Sequence, residues 1–251
     1  MKIRRIHLPK DALLKMASAE RAFLLLAGHM QNELNSLNKV FGWCLHNPRS
    51  DHTSPVEGLA NGMQAMIYAR VLAGKLLEAW RVLGTAFFGT KLSQRVESKL
   101  HPIAQDALKK IKSYFGKTNA IYRVRNYFAF HYSVEEFNTN WKEAADEPNF
   151  ELVLGGTVGN NLHLAAEFVA NTALLNGINS NDKADALRTF FDDVQSVASS
   201  FTDFLEGTIV AILEEQLGSG LTTLGREEEM FPTRRYNEVA IPFFCKPDAN
   251  Q

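Results

Sequence analysis

The chain has 251 residues, 45% of them hydrophobic, and a formal net charge of -1, so it has the length and apolar content to bury a sizeable core. That near-neutral balance gives no global attraction to nucleic acid or to an anionic membrane, and any such binding has to come from a local patch. The two cysteines, Cys44 and Cys245, lie far apart without CxxC spacing, which argues against a disulfide framework or a zinc site and points to the reducing cytoplasm.

The first residues are basic (Lys2, Arg4, Arg5), but no apolar run with a small-residue cleavage site follows; Pro9, Lys10 and Asp11 lead into an amphipathic pattern. Ser18 opens a long helix with apolar positions recurring at Phe23, Leu26, Ala27, Met30, Leu34, Leu37, Val40 and Phe41. Asn47 and Pro48 close it after Leu45. The longest apolar stretch, Ala22 to Ala27, is too short to span a bilayer. After the polar loop PRSDHTSP, Ser54 as N-cap and Pro55 at the first helical position start a second helix that runs to Phe88. Gly62 and Gly74 read as close-packing positions within it, and Gly84 or Gly89 suits its end. No strand precedes these glycines and the GxGxxG spacing is absent, so they do not make a phosphate loop.

A short segment from Lys91 to Leu100 follows, and then a helix from Pro102 through Phe115, ended by Gly116. The next helix begins near Thr118 or Asn119. Ser133 with Glu136 has capping-box spacing and starts a further segment that ends between Trp141 and Ala145. FELVL followed by GGTVGNN, residues 150–161, reads as a short β-hairpin. Helical period returns from Leu162 to Leu175 and from Asp182 to Leu217, with Gly218 as the stop. The tail, residues 218–251, contains Pro232, Pro242 and Pro247, keeps no period and reads as irregular, with Glu227 to Glu229 as a solvated acidic patch. The expected fold is all-α: an antiparallel helical bundle with additional C-terminal helices. With no linker evident, it reads as a single domain over 1–251 with a core at about 15–217.

The stretch RNYFAFHY, from Arg125 to Tyr132, carries the chemistry that stands out. An arginine can hold a phosphate through two parallel hydrogen bonds, and a histidine can give or take a proton near pH 7 without a metal. Residues six apart on a straight α-helix point about 120° away from each other. Arg125 and His131 therefore converge only if the helix ends by His131, or if the site is shared between two subunits. A plain structural reading stays open beside this. Ile121, Val124, Phe128 and His131 share one helical face, so His131 can be a core histidine with a hydrogen-bond partner. Arg125 can pair with a carboxylate, Asn126 can cap or crosslink helices, and Tyr127, Phe128 and Phe130 can be core.

From Lys91 to Arg125 there are nine basic residues against two acids, Glu97 and Asp106, a net of +7 that could serve a polyanion, although part of it is an ordinary solvated helix face. A metal enzyme is a third reading. His29 with Glu33, and His163 with Glu167, each lie four apart on one helix face, but the paired Glu-x-x-His tetrad of a di-iron bundle is absent. There is no GxSxG, Walker A or HExxH sequence, and no cofactor or metal is implied.

Arg125, Asn126 and His131, with five residues between the arginine and the histidine, resemble the R-(polar)-x(n)-H signature of the HEPN superfamily. The surrounding YFGKTNAIYRVRNYFAFHY, preceded by two long helices, is similar to the abortive-infection branch found in prokaryotic defence, and the resemblance covers residues 15 to 217. It implies a HEPN-like helical bundle that forms a homodimer, with two Arg/His motifs facing each other as a metal-independent endoribonuclease site. RNA would be the substrate, and an antitoxin or a nucleotidyltransferase a further partner. On this resemblance Arg125 and His131 are catalytic and Asn126 orients the arginine or the phosphate. Some members carry a tyrosine two residues after the histidine that a partner nucleotidyltransferase modifies; here Tyr132 follows His131 at once, a departure that puts this modification in doubt. The rival expectation is a catalytically inactive bundle that acts as a binding or scaffold protein.

Overall fold

Helix-start signals in the sequence coincide with helix starts in the computed structural model, which describes residues 1–46, 54–126, 133–144, 151–218, 220–221 and 226–246. In chain order the elements are β1 (Lys2–Ile6), α1 (Lys10–Leu14), α2 (Ser18–Leu45), α3 (Pro55–Ala86), α4 (Lys91–Glu97), α5 (Pro102–Phe115), α6 (Ala120–Val124) and α7 (Val134–Ala144). Then come β2 (Leu152–Val153), β3 (Leu162–His163), α8 (Leu164–Ile178), α9 (Lys183–Leu217) and β4 (Arg226–Met230). The chain is mostly helical, an all-α protein with two small two-stranded sheets among the described residues.

The caps show why these boundaries fall where they do. Ser54 Oγ accepts the Glu57 amide at 3.2 Å, ahead of Pro55, and Thr90 Oγ1 accepts the Ser93 amide at 3.1 Å to start α4. Asn119 Oδ1 accepts the Tyr122 amide at 2.8 Å, and Ser133 Oγ the Glu136 amide at 3.2 Å. α3 stops at Ala86, short of Phe88, and the chain turns at Gly89 with φ 73°; Gly218, after α9, has φ 65°. Both lie where a side chain would clash with the backbone. Gly116 does cap α5, but with φ -72°, a conformation open to any residue.

The residues group into two compact units that interleave in sequence: 1–36, 78–117 and 196–234 form the first, and 37–77, 118–195 and 235–251 the second. The first is built on an aromatic core. Phe23 stacks on Phe87 with ring centres 5.0 Å apart, Phe87 meets Phe204 edge-on at 5.6 Å, and Phe115 lies between Trp80 at 5.1 Å and Phe201 at 6.1 Å. Each fully buried phenylalanine of this kind contributes about 1.5 to 3 kcal/mol. In the second unit Phe41 meets Phe191 edge-on at 5.2 Å, Arg70 of α3 pairs with Glu167 of α8 at 3.0 Å, and α8 packs against α6, α7 and β2.

The expectation that the tail is irregular needs correcting. Arg226–Met230 is a strand that pairs antiparallel with Lys2–Ile6, in a register that sets Arg4 opposite Glu228 and Arg5 opposite Glu227. Glu228 forms ion pairs with Lys2 and Arg4, so the acidic run is part of a strand paired with the basic N-terminal strand, while Glu228 and Glu229 stay exposed as expected of a solvated patch. Opposite charges across a strand pair supply the match. Of the hairpin expected over 150–161, β2 is present, but its partner β3 falls just beyond, on the first two residues of the helix expected from Leu162, so that α8 starts at Leu164; Leu152 stands opposite His163 and Val153 opposite Leu162.

By length and composition, α9 could cross a membrane, but 61% of its apolar window is buried inside the protein. Val197, Ala198, Phe201, Phe204 and Leu205 are among the buried residues there, which is the signature of a core helix.

Candidate functional site

Helix α6 positions the arginine of the motif. Asn119 caps its start, Ile121 and Val124 bury one face, and Arg125 closes it, its amide donating to the Ile121 and Tyr122 carbonyls. Arg125 and Asn126 continue in a wider, π-helical turn. Widened turns of this kind re-aim side chains and are frequent at functional sites. The Arg125 guanidinium donates through Nη1 to Asn126 Oδ1 at 3.2 Å, and both residues are half-buried. His131, Tyr132 and the aromatics Tyr127, Phe128 and Phe130 lie outside the described residues, and so does the helix end expected at His131. On the other side Ser133 caps α7.

A cleft of about 410 Å³ opens beside this helix within the second unit, lined by Thr118, Tyr122, Arg123, Glu136, Leu174 and Gly177 among others. Tyr122 is 50% exposed. The Arg123 guanidinium donates to the carbonyl of Gly177, one of the last-turn carbonyls of α8 that the helix itself leaves unpaired. Glu136 Oε2 accepts from Asn140 Nδ2 at 3.2 Å, the same amide donates to the Glu136 carbonyl at 2.8 Å, and Asn140 Oδ1 accepts from Asn176 at 3.3 Å. The cleft lining thus includes a cationic residue, a carboxylate-bearing residue and an aromatic residue. Sequence patterning singled out Glu136 only as half of a capping box, counted Arg123 only in the basic run and passed over Tyr122, because the residues that complete the cleft come from α8, with Gly177 lying 54 residues beyond Arg123.

Four of the nine basic residues of the run are engaged in ion pairs within the protein. Arg95 holds Glu20 at 2.9 Å and Glu215 at 2.8 Å, Lys99 holds Glu215 at 3.2 Å, and Lys109 pairs with Asp106 at 3.1 Å. Lys112 pairs with Glu97 at 3.2 Å and lies 4.9 Å from the centre of the Phe88 ring. Hydrogen bonds donated to Glu20 and Glu215 raise the Arg95 pKa further and keep it charged. Burial works against ionised Glu215, but the hydrogen bonds from Arg95 and Lys99 outweigh it and hold this carboxyl below its usual range. The run divides between the units at Lys117 and Thr118.

The residues of the metal reading are engaged elsewhere or apart. Glu167 pairs with Arg70 at 3.0 Å, and His29 Nε2 stands 3.8 Å from Glu33. Among the described residues no three His, Cys, Asp or Glu side chains gather as a metal site. The chain matches no family model, no curated protein and no solved structure.

Proposed function

We propose that this protein is a HEPN-like, metal-independent endoribonuclease of a prokaryotic defence or toxin-antitoxin system, acting as a homodimer whose two Arg125/His131 motifs form one composite site. The observation that carries the reading is the Arg125 to Asn126 hydrogen bond at the end of α6. The arginine and the polar residue beside it are hydrogen-bonded to each other at the end of α6.

RNA brings its own nucleophile, the 2′-hydroxyl next to the scissile phosphate. The protein has only to position it, remove its proton, neutralise the developing charge and protonate the leaving oxygen. In this scheme one His131 takes the 2′-hydroxyl proton and the partner's His131 gives a proton to the departing 5′-oxygen. Arg125 spans the phosphate oxygens with its planar fork, and Asn126 fixes the plane of that fork. The products are a 2′,3′-cyclic phosphate and a 5′-hydroxyl end.

The test is RNA cleavage in excess chelator by wild type, R125A and H131A, each checked for fold by circular dichroism. Cleavage leaving cyclic-phosphate ends, lost by a factor of about 10² or more in either variant, is the expected result. Equal behaviour of wild type and H131A across varied RNAs would leave the inactive binding or scaffold bundle as the better reading.

A further inference from the structure

We infer that the cleft beside α6 is a nucleobase pocket that selects guanine, so that the ribonuclease cuts RNA next to a guanosine; the statement about cutting rests on the reading proposed above, and the statement about the pocket does not. The pocket is built before any ligand arrives. Asn140, only 8% exposed, is fixed at both ends of its amide, since its nitrogen must face the Glu136 carboxylate, which can only accept, and its oxygen then faces Asn176. This buried relay holds the Glu136 carboxyl group at the cleft wall. Arg123 is anchored on the Gly177 carbonyl, and the half-exposed Tyr122 lines the same 410 Å³ space. That volume falls within the usual range for a small-ligand site.

The chemistry of the wall chooses the base. A carboxylate only accepts, at about four lone-pair positions, and Asn140 uses one of them. Guanine alone among the RNA bases presents two adjacent donors on its Watson-Crick edge, N1–H and the N2 amino group, which meet the two oxygens of one carboxylate. Adenine and cytosine place a ring acceptor beside their amino group, and uracil flanks its single donor with two carbonyl acceptors, so each sets an acceptor against the carboxylate. Unstacked bases of single-stranded RNA are commonly held by aromatic faces and read on this edge, and Tyr122 supplies the face. Arg123 lines the same cleft as the carboxylate, so the two charges offset each other over the pocket and it suits a neutral base better than a cation.

The pocket is tested apart from the chemistry by calorimetric titration of the full chain with guanosine, adenosine, cytidine and uridine 5′-monophosphates. None of these has a scissile bond. Guanosine monophosphate should bind about 5- to 150-fold more tightly than the others, the usual discrimination of one bidentate pair, and E136Q should abolish the difference. Tyr122 lies on the surface, so Y122A tests the site with little risk to the fold; it should weaken guanosine monophosphate by about 5- to 150-fold, as loss of a stacking partner does. Equal binding of the four nucleotides, or an unchanged preference in E136Q, overturns the inference. Mapping cut sites on a mixed-sequence RNA separates the two readings. Cuts without a neighbouring guanosine overturn this inference and leave the nuclease standing, whereas guanosine-selective binding by a protein that cuts nothing supports the pocket and removes the nuclease.

Discussion

The hydroxyl of Tyr236 sits in the space that a side chain on Gly42 would fill. The tail that follows the β1–β4 pair is thereby seated on the last turns of α2: Tyr236 Oη donates to the Lys39 carbonyl at 3.1 Å, the ring lies 5.8 Å from that of Trp43, and His46 Nε2 stands 3.0 Å from the Asn237 carbonyl. Further on, Asn160 clasps Cys245 by two bonds, its Nδ2 donating to the Cys245 carbonyl at 2.7 Å and its Oδ1 accepting the Cys245 amide at 2.9 Å.

Replacing a helical glycine with alanine ordinarily stabilises by up to about 1 kcal/mol. Gly28, also in α2, has open space where its Cβ would be, so G28A should raise the melting temperature. G42A should instead unseat Tyr236, with faster tryptic cleavage after Arg234 and Arg235 than in wild type. If the two variants are cleaved at the same rate, the tail does not depend on the Gly42 notch. Y236F keeps the ring but loses the bond to Lys39, and should cost about 1 kcal/mol.

Both cysteines are free, Cys44 buried and Cys245 exposed, and burial pushes the Cys44 thiol up. A thiol reagent at neutral pH should therefore label one site rapidly in the native protein, and peptide mapping should place it at Cys245. The second label should appear only on unfolding. Rapid labelling of Cys44 would mean that the second unit opens locally there.

Glu215 makes stability depend on acidity. Its carboxyl is held below the usual range because the hydrogen bonds from Arg95 and Lys99 outweigh the opposing effect of burial. A carboxyl whose pKa folding lowers adds stability above its unfolded value, and that contribution disappears as pH falls through the lower folded value. Urea midpoints measured from about pH 7 down to about pH 3 should fall less steeply in E215Q than in wild type. Identical slopes would show that this network adds nothing to the acid limb.

The composite site makes a quantitative prediction about mixed dimers. When wild type is equilibrated with excess H131A, each heterodimer lacks either the acid or the base and should lose about 10² to 10⁴ of the rate. Activity should then fall with the square of the wild-type fraction. A linear fall would mean that each subunit cleaves alone.

Much of the helical framework was legible because its signals are local. Ser54 with Pro55, Asn119, Ser133 and Gly218 each act on backbone groups within a few residues, and the structure uses all of them as end markers. What stayed hidden depends on partners far along the chain. Neither KIRRI nor REEEM alternates apolar and polar residues, so neither announces a strand until the two are set side by side. Charge in the run from Lys91 to Arg125 looked available because Glu20 and Glu215, which neutralise Arg95, lie 75 and 120 residues from it. The same holds for the candidate site. Arg125 and Asn126 could be picked out as neighbours, whereas the cleft required α8 to bring Gly177 against Arg123.

Pairing Lys2–Ile6 with Arg226–Met230 also sets a schedule for biosynthesis. The first strand leaves the ribosome long before its partner exists, and at about 5 to 20 residues per second it waits roughly ten to fifty seconds. During that interval its backbone donors and acceptors are open to any other extended chain. The basic side chains of KIRRI then have a second use, since charge on an unpaired strand discourages association between nascent copies until the acidic strand arrives.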